Sequence, residues 1–370
     1  MTKIKICFIN HFGYSLYSNN YKDQRIGGAE VQLYLLSKEI SKDNRFCVNV
    51  ITDAYGEKQK MESFNDIKLF KILPTERTLF NTIKGFILFF KFLIKINPDI
   101  IIQRAVSHTS WMCALYAKVF GKKFIYSIAN DYDVNGEFAQ TIVGKLYSIA
   151  LNHTYHIVSQ SLKQKMILKK WSDSKKLKIS VIKSGYPFSR PKTHNKRSIL
   201  WVGRGEPHKR PEIFLRLAKR FPKQIFIMIC NKSYDVQNWK KIRKKARSIS
   251  NLKFFPLIKF ENINVFFKDS KIFINTSNYE GFPNTFIQAL KNQTPIISLK
   301  ANPDGFITKY DCGFVCDDNF NKLVENSVLL LTNQNLYGKI SQNAFKYAKE
   351  HHDIEKVALK WKKLFLEIMN

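Results

Sequence analysis

Short, nearly continuous apolar runs alternate along this chain with longer stretches in which apolar residues return every three or four positions. The first pattern fits strands buried on both faces, the second amphipathic helices. Lys3–Asn10 opens the series as a strand. A loop ending at Gly27-Gly28 leads into a helix over Ala29–Ile40, with Val31, Leu33, Leu35, Leu36 and Ile40 set among polar residues. Strands follow at Phe46–Thr52 and Ile67–Leu73, then a helix over Leu79–Ile96 that Asn97-Pro98-Asp99 stops. Ile100-Ile101-Ile102, Phe124–Ala129, His156–Ser159 and Ile179–Ile182 read as further strands, and Trp111–Phe120 as a helix ending at Gly121.

From Ser184 to Arg197 the periodicity stops, and Gly185, Pro187 and Pro191 mark an interdomain linker. The alternation then resumes. Strands are predicted at Ile199–Val202, Gln224–Cys230, Leu252–Phe255, Lys271–Asn275 and Pro295–Leu299. Helices are predicted at Pro211–Phe221, Val236–Ser248, Asn262–Lys268, Asn284–Lys291, Asn319–Leu331, Leu336–His351 and Ile354–Met369. Strands alternating with helices imply α/β domains built on parallel sheets, which bind ligands beyond the carboxyl ends of their strands. Two such Rossmann-like domains are expected, over 1–185 and 198–352, followed by a last amphipathic helix in 353–370.

A length of 370 residues suits two cores rather than one, and 45% hydrophobic residues exclude a disordered chain. Lys and Arg outnumber Asp and Glu by 61 to 29, a formal +32 that favours partners carrying phosphate or other anions. Part of that excess follows a general richness in Lys, Ile, Asn and Phe. No nucleic-acid recognition module is visible, so nucleic acid is set aside as a partner. Six scattered cysteines read as buried free thiols of a reducing compartment, and Cys312 and Cys316 lack the nearby His that zinc would want. No secretion signal pattern opens the chain. The most apolar stretch, Thr78–Ile96, is broken by Lys84, Lys91 and Lys95 and makes a poor membrane span. A cytoplasmic protein is expected, peripheral on the inner face of the membrane at most. The same basic helix, with Phe86, Phe89, Phe90 and Phe92, is a candidate contact with an anionic membrane surface.

The chemistry concentrates in the second half. Glu280-Gly281-Phe282-Pro283-Asn284-Thr285 follows a strand and opens a helix. Gly281 permits a tight turn, Asn284 or Thr285 is the expected cap, and the helix start offers backbone N–H groups beside the Glu280 carboxylate. Amides suit phosphate oxygens, and a carboxylate suits sugar hydroxyls. Upstream, Gly203-Arg204-Gly205-Glu206-Pro207-His208-Lys209 also joins a strand to a helix. Arg204 can grip a phosphate bidentately and Lys209 adds a point charge, while Arg210 reads as a surface neighbour.

These segments resemble the retaining glycosyltransferases of family four, relatives of glycosyltransferase group one. There the later segment reads E-G-F-P-x-x-x-x-E-A and the earlier one G-R-x-x-x-x-K. The resemblance implies that Glu280 binds the donor sugar and that Arg204 and Lys209 hold its diphosphate. Around them it implies donor contacts from Gly203, Gly281, Phe282, Pro283, Asn284 and Thr285. The second acid of the motif is Gln288 here, so the ribose contact loses a charge, at a cost of about 1 kcal/mol. Gly27 and Gly28 match a G-G-x-E element near the diphosphate, and Glu30 also suits the first turn of a helix on dipole grounds. Where the family often has a His, this chain has Asn130-Asp131-Tyr132-Asp133. Asp131 is the candidate catalytic carboxylate, with Asp133 and Arg104 as acceptor-side candidates.

The resemblance further implies a GT-B fold, two domains facing each other across a cleft, with the final helix crossing back to the first domain. It implies a UDP- or GDP-sugar as co-substrate, a glycan or lipid-linked acceptor, retained configuration, and no metal or other cofactor. Surface polysaccharide biosynthesis is the expected setting. A sugar-nucleotide epimerase of the same architecture, or an inactive glycan-binding relative with Gln288 in place of the acid, stays open on the sequence.

Overall fold

A computed structural model describes residues 2–18, 26–54, 60–74, 79–137, 142–171, 177–189 and 195–370. The chain forms two compact units, Met1–Gly185 with Ile354–Asn370, and Tyr186–Asp353.

The first unit is built on an eight-stranded sheet in the order β3-β4-β2-β1-β5-β6-β7-β8. Its strands are β1 (Ile4–Ile9), β2 (Phe46–Asp53), β3 (Met61–Phe64), β4 (Ile67–Leu73), β5 (Ile100–Arg104), β6 (Lys123–Ser127), β7 (His156–Ser159) and β8 (Ile179–Val181). Its helices are α1 (Tyr14–Ser18), α2 (Gly28–Ile40), α3 (Leu79–Ile96), α4 (Thr109–Val119), α5 (Ile142–Asn152) and α6 (Leu162–Trp171). Residues of one strand serve opposite cores, as the two-residue period requires. Cys7 and Ile9 of β1 pack under α3, α4 and α5. Ile6 and Phe8 pack on the other side under α2.

Two expectations change here. The sheet is not wholly parallel, since β3 runs antiparallel to β4 at the edge. The rings of Phe89 and Phe92 are buried in the core, because the wide apolar face of α3 needs them there. Among its described side chains the exposed ones are instead Lys84, Ile87, Lys91, Ile94 and Lys95.

The second unit carries a six-stranded sheet in the order β11-β10-β9-β12-β13-β14, parallel throughout its pairings. It holds β9 (Ser198–Arg204), α7 (Pro211–Arg220), β10 (Ile225–Asn231), α8 (Val236–Arg247), β11 (Leu252–Phe255), α9 (Phe260–Lys268) and β12 (Ser270–Asn275). Beyond these come α10 (Asn284–Lys291), β13 (Ile296–Ser298), α11 (Phe306–Lys309), β14 (Gly313–Val315), α12 (Phe320–Thr332) and α13 (Gln334–His351). The chain runs outward from β9 through β10 and β11, then returns to place β12 on the other flank of β9. That reversal makes a switch point between β9 and β12, the place where open α/β sheets bind ligands.

Ser184 and Gly185, expected in the linker, belong to the first unit. Ser184 and Tyr186 are buried. The Gln32 amide donates to the Gly185 carbonyl at 3.1 Å and accepts from the Gly185 N–H at 2.9 Å. The expected linker residues 190–194 lie outside the described residues. The last helix, α14 (Ile354–Met369), belongs to the first unit, where Val357, Trp361 and Phe365 complete the core beneath α2.

Candidate active site

The second unit sets two loops side by side at its switch point, one leaving β9 and one leaving β12. Gly203 in β9 has no side chain for a reason: a Cβ there would lie 2.9 Å from the Trp201 ring. With that space open, the Trp201 indole N–H donates to Thr276 Oγ1 at 2.9 Å. The same hydroxyl donates to the Lys209 carbonyl at 2.6 Å. The Asn278 N–H donates to the His208 carbonyl at 2.9 Å. His208 and Tyr279 stack with ring centres 5.0 Å apart and 11° between planes. The two loops are thus bonded through backbone, hydroxyl and ring, and their side chains cannot drift independently.

Arg210 closes this junction. Its backbone is left-handed, φ 49° and ψ 51°, between a short turn over Pro207–Lys209 and the start of α7 at Pro211. A residue before proline is pushed out of the right-handed helical region, and Pro211 fits the first helical position. Its guanidinium donates to the Thr276 carbonyl at 2.8 Å and to Asp318 Oδ1 at 2.6 Å. Sequence reasoning left Arg210 as a surface neighbour. The structure makes it a fastener between the two loops, and only its place beside Lys209 hinted at this.

The result is a carboxylate–ammonium pair. Lys209 Nζ lies 2.5 Å from Glu280 Oε1. Ser277 Oγ donates to the same oxygen at 2.6 Å, and the Asn275 amide reaches it at 3.5 Å. Burial alone would push the Glu280 carboxyl up. The Lys209 charge and the hydrogen bonds from Lys209 and Ser277 outweigh it and hold the group below its ordinary value. Burial and the Lys209 charge both push the His208 imidazole down. Arg204 ends β9, and its guanidinium lies 3.7 Å from Glu206.

Helix α10 follows directly. Its N-cap is Pro283, which supplies no side-chain cap, and Asn284 is its first residue, so the expected cap at Asn284 or Thr285 is corrected. Proline fits because its fixed φ of −63° and extended ψ turn the chain into the helix without needing an N–H donor. Gly281 is buried and Thr285 half-buried. Phe282 turns its ring inward, against Phe306 at 5.1 Å and His352 at 4.5 Å, so its side chain packs the core. Gln288 is buried, and its backbone carbonyl accepts from the Asn292 side-chain amide at 2.7 Å.

The first unit holds the remaining candidates. Gly27 caps α2 and its N–H donates to Glu30 Oε2 at 2.9 Å, so Glu30 serves the helix start. Gly28 is the first, exposed residue of that helix. Arg104, at the end of β5, donates to Ser127 Oγ at 3.2 Å and Ser184 Oγ at 3.0 Å, and burial lowers its pKa to about 10. Asp133 faces inward and accepts from the Ala129 N–H at 2.7 Å. Asp131 pairs with Lys163 at 2.7 Å and accepts from the Gln164 amide at 3.3 Å. The structure therefore gathers Lys209 and Glu280 tightly and sets Arg204 against Glu206, while Asp131 and Asp133 are each engaged within their own loop and helix surroundings.

Two open α/β units, the second with a cationic loop and an acidic loop at its switch point, define the GT-B fold. Residues 183–347 match the family model described as glycosyl transferases group 1. An uncharacterized glycosyltransferase of Haemophilus influenzae is 26% identical over 173 residues, 45% of this chain; the match spans about half, 48%, of that relative's length. An uncharacterized glycosyltransferase of Methanocaldococcus jannaschii is 23% identical over 390 residues, covering 95% of this chain and 97% of its own. Among solved structures, Anabaena HepE in complex with UDP-glucose superposes with a TM-score of 0.75 at 14% identity, covering 98% of this chain and 100% of the other.

Proposed function

We propose that this protein is a retaining glycosyltransferase that moves a hexose from a UDP- or GDP-sugar to a glycan or lipid-linked acceptor in surface polysaccharide synthesis. The observation that carries the reading is the Lys209–Glu280 pair, fixed between β9 and β12 in a group 1 domain. Similarity to HepE, whose structure holds UDP-glucose, supports a nucleotide sugar as donor. On this reading Glu280 accepts hydrogen bonds from the sugar hydroxyls. Lys209 and Arg204 offset the charge that develops on the departing diphosphate, where fixed cations act most strongly. The start of α10 supplies N–H groups to the phosphates, and Gln288 meets the ribose. The acceptor hydroxyl attacks on the face the diphosphate leaves, and the departing phosphate takes its proton, so no protein nucleophile is needed.

The test pairs binding with turnover. A panel of UDP- and GDP-sugars is screened by thermal shift, since a ligand bound to the folded state raises its stability by mass action. Transfer or donor hydrolysis is then measured for the best donor. Arg204→Ala is expected to fold normally and to lose on the order of 10²–10³-fold in turnover. Near-normal turnover in that variant, or no shift with any nucleotide sugar, rejects the assignment.

A further inference from the structure

The two faces of the first unit's sheet differ in charge in a way that composition does not explain. On one face, α2 and α14 contain Glu30, Glu39, Glu355 and Glu367. On the other, α3, α4, α5 and α6 contain no Asp or Glu at all, in a chain that has 29 of them. A general drift toward lysine codons would thin the acids on both faces alike. These four helices share one core through their inner side chains, so their outer sides cover the same face of the sheet.

That outer side is also apolar. Ile87 and Ile94 of α3, Leu115 and Val119 of α4, Ile149 of α5 and Met166 of α6 are between 39% and 64% exposed. Exposed lysines stand among them on every helix, Lys91 and Lys145 included. Grouped exposed aliphatics mark a surface that something else covers. The partner's chemistry follows from the mixture. Aliphatic tips enter the acyl boundary of a bilayer, while lysines extend along their stems to anionic headgroups. A second copy of the chain fits poorly, because a two-fold contact would set lysines against lysines with no acid on these helices to answer them. No helix among the described residues is long and apolar enough to cross a membrane, so the contact is with its surface.

We propose that the α3–α6 face of the first unit docks on an anionic lipid bilayer. The proposal deepens the function proposed above, on which it rests for its purpose: a lipid-linked acceptor is presented at such a surface. The face is wider than the aromatic helix singled out in the sequence, and the exposed apolar side chains named on its helices are aliphatic.

The full chain is floated with phosphatidylcholine vesicles and with vesicles containing phosphatidylglycerol. Binding is expected to the anionic vesicles only, and to weaken as salt rises. Two double variants, Ile87→Glu with Ile149→Glu and Lys91→Glu with Lys145→Glu, change exposed positions and are expected to lower vesicle binding by about tenfold or more. Both should keep the wild-type thermal shift with nucleotide sugar, which reads the other unit and separates this question from that of the donor. Absent or equal binding to the two lipids, or wild-type binding by both variants, overturns the proposal. So does a wild-type dimer in solution that the Ile87/Ile149 variant turns into a monomer.

Discussion

At Asp133 the carboxylate is held away from water by its own loop. Burial is the largest influence and raises its pKa from 3.8 to about 6, against the lowering effect of the Ala129 and Asn130 amides, Tyr126 and the Arg104 charge. Between those two values the folded protein keeps a proton that the unfolded chain has released. Stability therefore falls as pH rises through that window, and the penalty is complete above about 6. Asp133→Asn cannot ionise and escapes it. Its stability relative to wild type, read from urea midpoints, is expected to improve by up to ~3 kcal/mol across the window. A difference that stays flat with pH would show that Asp133 titrates normally. The Asp residues were legible in the sequence as a cluster past a strand. Which one turned inward was not, because that depends on the Tyr126 and Tyr147 rings packed beneath the loop.

The turn between β9 and α7 is an element whose shape and function conflict. Arg210 adopts a left-handed conformation that costs a side-chain-bearing residue about 1–2 kcal/mol. In return its guanidinium holds Thr276 and Asp318. Arg210→Gly separates the two effects. Glycine relieves the backbone and deletes the fastener, so thermal stability is expected to change little, by less than about 2 kcal/mol. The Lys209–Glu280 geometry loosens, and kcat/KM for transfer is expected to fall by about tenfold or more, since misplacement of the charged groups near 1 Å is costly. Unchanged kcat/KM would mean that Thr276 and the loop backbone suffice. Position 210 read as one more basic surface residue because its partner Asp318 lies over a hundred positions further along, which no local pattern reveals.

Across the whole molecule, the chain's end completes its beginning. Trp361, Val357 and Phe365 of α14 fill the core that α2 and the sheet leave open. Trp361→Ala is expected to destabilise the first unit by about 3–5 kcal/mol, the cost of a large buried cavity, measured by urea denaturation. A loss under about 1 kcal/mol would mean that α14 only rests on the surface. The amphipathic pattern of 354–369 was plain in the sequence, but an apolar stripe states that it needs a core without stating whose.

The sequence by itself determined the α/β alternation, most strand and helix positions, and the order of the Arg204, Lys209 and Glu280 segments, because each rests on local periodicity and on chain punctuation by Gly and Pro. Only the tertiary structure decided that Lys209 and Glu280 meet, that Phe282, Phe89 and Phe92 turn inward, and that four helices without an acid share one core. Those outcomes depend on which residues distant in the chain become neighbours, and contact between distant segments leaves no period in a sequence.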